Sequence, residues 1–130
     1  MAFAGDRKGS AAVEFGLLAP IFLLFLAGLM EFGIFIWNKH SLEFAIEETG
    51  RAVMTMSTVS EDSVAADLKG RLLGVDPDAV TATVTKETVG VTTFVTITAN
   101  YTYSFLMVGL LGFESITIET MTRVPMNPTE

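Results

Sequence analysis

Residues 9–37, GSAAVEFGLLAPIFLLFLAGLMEFGIFIW, decide the fold. No charged residue occurs between Glu14 and Glu31, and the apolar run resumes after Glu31 as far as Trp37. The 23 residues from Phe15 to Trp37 make a helix of roughly 35 Å at 1.5 Å per residue, enough to cross a hydrocarbon layer of about 30 Å. Two carboxylates, Glu14 and Glu31, sit in or at the ends of this run. Charge in lipid is costly, so function is sought there first.

Outward from the run, the basic pair Arg7-Lys8 precedes it and Trp37-Asn38-Lys39-His40 follows it. Cations before a first membrane segment hold its N-terminus in the cytoplasm and send the remainder across, and aromatic and polar residues at the far end suit an interface. The run is too long for an ordinary signal peptide and lacks its small-residue cleavage pattern. Residues 1–9 read as a leader, 10–58 as one long helix with its span at about 15–37, and 60–130 as an extracytoplasmic α+β domain.

The helix is expected to continue past the membrane. Leu42, Ala45, Ile46, Thr49, Val53 and Met56 recur at three- and four-residue spacing, with Glu43, Glu47, Glu48 and Arg51 opposite. Glu47 and Arg51 stand at i, i+4. Gly50 weakens the stretch by about 1 kcal/mol relative to Ala and allows a bend. Ser60 with Glu61 and Asp62 starts a short second helix that ends by Gly74. The period then falls to two. Val80, Ala82 and Val84 alternate with threonines, Val89-Gly90 closes a hairpin, and Val95 to Phe105 and Ile116 to Glu119 supply two further strands. The third is expected to fade near Pro125. The fold class is therefore α+β: a long N-terminal helix, a short helix and a small three-stranded antiparallel sheet packed on the projecting half of the first helix. The segment Leu106 to Phe113 (LMVGLLGF) is either a plug for the core or an exposed partner-binding patch.

Chemistry-bearing patterns are few. The 130 residues include no cysteine and one histidine, His40, which reads as a headgroup-facing polar residue. Neither a phosphate loop nor a catalytic motif occurs, and Asp76 and Asp78 flank Pro77 as a turn with too few oxygen ligands for calcium. The expectation is a non-enzyme with no cofactor, no metal and no small-molecule substrate. A net charge of −7 argues against a nucleic-acid partner. Beyond Trp37 the chain has 12 acids and 6 bases, consistent with an acidic exterior domain. Gly28 and Gly33 offer places where neighbouring helices can approach.

Several motifs together point further. Gly9 is followed after four residues by Glu14 at the head of the apolar helix; AAVEF leads to Pro20; E-F-G spans Glu31 to Gly33; and LEFAIEETGRA runs from Leu42 to Ala52. This combination, covering about Gly9 to Met56, resembles the TadE-like family, pseudopilins or minor pilins of the tight-adherence (Tad/Flp) branch of type IV pilus systems. The resemblance implies cleavage between Gly9 and Ser10 by a prepilin peptidase, an assembly role for Glu14 with Phe15, and a subunit contact at Glu31. It also implies pilins, pseudopilins and inner-membrane assembly proteins as partners, with membrane lipid around a single-pass protein of the bacterial inner membrane. The competing reading is an unprocessed single-span envelope protein whose outer domain binds another protein.

Overall fold

Leu, Ala, Phe and Ile dominate the first half of the chain, and they propagate a helix with little interruption. In the computed structural model, which describes residues 7–56, 58–107, 109, 112 and 115–126, helix α1 runs unbroken from Arg7–Thr55. Its 49 residues are about 74 Å long. Pro20 lies inside without ending it. Met56 closes a last tight turn on the carbonyl of Val53, so α1 ends three residues before the expected 58, and Ser57 lies outside the described residues.

Helix α2 (Glu61–Gly70) begins as its sequence dictates. The Ser60 hydroxyl accepts the Ser63 N–H, and the Ser63 hydroxyl accepts the Ser60 N–H, a reciprocal cap with Glu61 and Asp62 in the first turn. The backbone turns at Gly74 (φ +76°), passes a 3-10 turn at Pro77–Ala79 where Asp76 accepts the Asp78 N–H, and enters the sheet. Strands β1 (Val80–Val89), β2 (Thr92–Ser104) and β3 (Ser115–Met126) pair antiparallel in the order β1-β2-β3. Val89 pairs with Thr92, so the two-residue hairpin turn is Gly90-Val91, one residue later than Val89-Gly90. Gly90 takes the positive φ that the first turn position demands. β3 is assigned as far as Met126, one residue past Pro125, near where it was expected to fade; Pro125 is tolerated because β3 is an edge strand.

The core lies between the inner face of the sheet and the outer half of α1. Val95, Ile97 and Ala99 of β2, with Val80, Ile118 and Val124 beside them, meet Leu42, Ala45, Ile46 and Val53 of α1. Val64 and Leu68 of α2 complete it. The expected α1 stripe is thus the buried one, with Leu42, Ala45, Thr49 and Val53 wholly inaccessible. The helix runs through Gly50 without ending. A side-chain carbon there would stand 3.1 Å from Thr122 Cγ2 and 3.2 Å from Val124 Cγ1, so glycine marks where α1 presses closest to β3. Arg51 approaches Glu48 (3.7 Å).

Candidate functional site

The two halves of α1 differ completely in their surroundings. From Val13 to Met30 the large apolar side chains are exposed: Phe15 by 73%, Leu23 by 62% and Met30 by 72%. The most apolar window has only 6% of its residues buried, and the helix is long and apolar enough to cross a membrane. Gly9, Ser10, Glu14 and Phe15 all lie on this bare stretch. Arg7 and Lys8 form its first turn, and their side chains lie outside what the structure describes. Ser10 and Glu14 are one turn apart on one face, and the Ser10 hydroxyl donates to Glu14 Oε1 at 3.3 Å. A side chain at Gly28 or Gly33 would meet nothing of this chain, which leaves both glycines open to a neighbour.

Burial begins abruptly at Glu31, which is only 8% exposed. Its carboxylate accepts the backbone N–H groups of Leu106 and Met107, the latter at 3.0 Å to Oε2. These are charge-assisted bonds to two amides that the end of β2 leaves without a strand partner. The Tyr103 hydroxyl reaches the Glu31 backbone carbonyl at 3.5 Å. Burial pushes the Tyr103 phenol above its ordinary value and the nearby Glu31 carboxylate adds to this, so the ring stays a neutral donor. Around it Phe35, Tyr103 and Phe105 form a cluster, with Tyr103 edge-on to Phe105 (4.9 Å) and to Phe35 (5.6 Å). Each such pair adds on the order of 1 kcal/mol beyond simple burial.

Glu31 therefore bonds to groups of its own chain. It is the first member of the buried stripe: Glu31, Phe35, Asn38, Leu42, Ala45, Thr49 keep the three- and four-residue spacing. Asn38 also departs from its expected place at the lipid interface. It is 5% exposed, with its amide 3.5 Å from the Tyr101 hydroxyl. Ser41 and Trp37, one turn apart, hold Leu73 from both sides. The Ser41 hydroxyl accepts the Leu73 N–H at 2.7 Å, and the Trp37 indole donates to the Leu73 carbonyl at 3.1 Å. Gly74 lets the backbone come this close, because a side-chain carbon there would be 3.2 Å from Trp37 Nε1. None of these contacts has a local sequence signal; each joins residues at least 32 positions apart.

The Leu106 to Phe113 segment is neither a plug nor a free patch at its start. Its first two amides are pinned on Glu31, while the Leu106 side chain is 76% exposed. Residues 108, 110, 111 and 113 lie outside the described residues. His40 stands on the surface, its Nδ1 3.7 Å from Glu43. Among the described residues no three His, Cys, Asp or Glu side chains converge as a metal site. The arrangement has two parts: a bare apolar rod with a carboxylate near its tip, and a domain clamped to the rest of the rod.

Comparison with curated proteins and with solved structures returned no match. Residues 9–51 match the family model described as TadE-like protein, a stretch that takes in Gly9, Ser10, Glu14, Glu31 and Gly50 and leaves out α2 and the sheet. Residues 9–51, about a third of the chain, are thus similar to the TadE-like family, and among the described residues one helix, α1, is long and apolar enough to fit a single membrane pass.

Proposed function

We propose that this protein is a pseudopilin or minor pilin that acts in assembly of a Tad-type pilus from the bacterial inner membrane, its N-terminus cytoplasmic and its sheet domain outside. The observation that carries the reading is Glu14, an exposed carboxylate on the bare half of α1, inside the family-matched stretch and five positions after Gly9. A prepilin peptidase would hydrolyse the Gly9–Ser10 peptide bond, releasing residues 1–9 with a new carboxylate and leaving an ammonium on Ser10. Gly9 and Ser10 belong to the first turn of α1, where backbone N–H groups have no helical partner, so unwinding them costs little. The new ammonium and Glu14 are each expensive in lipid. Pairing the ammonium of one subunit with Glu14 of the next fixes the axial stagger of packed helices. In the uncut chain the Ser10 hydroxyl occupies Glu14 instead. The open surface at Gly28 and Gly33 supports close helix approach.

Mass spectrometry of protein extracted from membranes of cells with the peptidase is expected to find Ser10 as the N-terminus. An intact Met1 there would overturn the processing. Glu14→Ala is expected to abolish co-purification with the other pilus subunits while leaving membrane insertion intact. Retention of both would favour a lone membrane anchor.

A further inference from the structure

We propose that the outer surface of the membrane lies at Glu31, and that the turn Phe105–Met107 rests on it as a second lipid contact, with Leu106 entering the boundary between headgroups and acyl chains beside α1. The inference rests on α1 crossing a bilayer, not on any role in a pilus.

Length carries the first part. From Gly9, just after Arg7-Lys8, to Met30 there are 22 residues, about 33 Å of helix, which matches a hydrocarbon layer of about 30 Å. A span at 15–37 would instead place Glu31 about 9 Å below the surface. It would drag into lipid the groups packed there, the amides of Leu106 and Met107 and the Tyr103 hydroxyl, and bring the Leu73 backbone held by Trp37 down to the lipid surface. Moving the span to 9–30 leaves all of these outside the hydrocarbon. On the face of α1 turned away from the domain, exposed Phe32, Ile34 and Trp37 then fall in the headgroup region, a depth that suits aromatic side chains.

Position carries the second part. The Glu31 carboxylate holds the 105–107 turn at the axial level where the domain first covers one face of α1, next to exposed Met30 and Phe32. Leu106, 76% exposed, therefore continues the lipid-facing surface sideways from the helix, with the Phe35–Tyr103–Phe105 cluster behind it. Aromatic rings with one polar tip suit this depth. The opposite end of β2 carries the Gly90-Val91 hairpin, on the order of 40 Å away at about 3.3 Å per residue.

The chain has no cysteine, so single labels are unambiguous. L23C, L106C and V91C would each carry an environment-sensitive fluorophore in the full-length protein, reconstituted into phosphatidylcholine–phosphatidylglycerol vesicles with or without brominated acyl chains. The expected result is a blue shift and bromolipid quenching at L23C and L106C, with V91C unshifted and quenched only by aqueous iodide. Lipid signals at L23C with L106C behaving like V91C would overturn the proposal alone. An aqueous L23C would overturn the membrane span and the proposal with it.

Discussion

The two halves of α1 form one helix and have different surroundings. Residues 9–30 are almost wholly apolar and touch almost nothing of the chain, whereas residues 31–55 bury one stripe under the sheet and expose first Phe32, Ile34 and Trp37 and then, from Lys39 on, charges. A helix apolar all round needs an apolar surrounding; a helix with one apolar stripe needs a partner face. One continuous helix can do both because its backbone bonds are internal and indifferent to the medium. On the face turned to the domain, burial starts at Glu31, 8% exposed, while the opposite face stays bare through Phe32, Ile34 and Trp37.

The strongest way to break this contrast is a paired truncation. Ile46→Ala removes a fully buried side chain and is expected to cost about 2–5 kcal/mol of domain stability. Leu23→Ala, on the bare half, is expected to leave that stability within about 0.5 kcal/mol. Urea unfolding of the detergent-solubilised protein, followed by the fluorescence of Trp37, compares them. Equal effects would mean that the halves are not independent.

A smaller effect is expected at the boundary. Glu31→Ala leaves the Leu106 and Met107 amides without their acceptor, a loss of about 1–3 kcal/mol that falls locally on the turn. Hydrogen exchange should quicken at those two amides and stay slow at Val95 and Ile97. Unchanged protection at 106 and 107 would remove Glu31 as the clamp.

The smallest effect concerns α2, the part of the covered half farthest from lipid chemistry. The Arg71 guanidinium, bonded to both carboxylate oxygens of Asp67 (2.8 and 3.1 Å), holds that carboxyl below its ordinary value, partly opposed by burial. A carboxyl lowered on folding binds protons more readily in the unfolded chain. Its contribution is therefore complete above the ordinary value near 4 and is lost as pH falls through the lowered one. Asp67→Asn should flatten that part of the acid limb of stability against pH. An identical acid limb in both proteins would show that the pair contributes nothing.

Much of this was legible in the residues themselves. The stripe from Leu42 to Val53 and the alternation of Val and Ile with Thr in the strands are periodic signals. Each reports a buried face directly. The stripe's first three turns were not legible, although their spacing is regular. Glu31, Asn38 and Ser41 are polar, so they interrupt the apolar pattern while occupying buried positions. Their partners come from 32 to 76 residues away and are mostly backbone groups, which carry no sequence identity to read. Gly50 shows the same limit: its missing side chain makes room for Thr122 and Val124, more than 70 positions away. Of the site, the Gly9 to Glu14 spacing was visible and the burial of Glu31 was not.

The clamp along α1 has a mechanical consequence. The domain grips the helix from Glu31 to Val53, about 33 Å, through a carboxylate, an indole, a hydroxyl and a packed core, so rod and domain turn as one rigid body. Successive residues of a helix lie 100° and 1.5 Å apart. A slip of one residue between neighbouring helices in the membrane would thus lift the domain by 1.5 Å and swing its sheet through more than a quarter turn. The threonine-rich outer face would then point in a new direction. Small adjustments of register below the surface are geared into large changes of aspect above it.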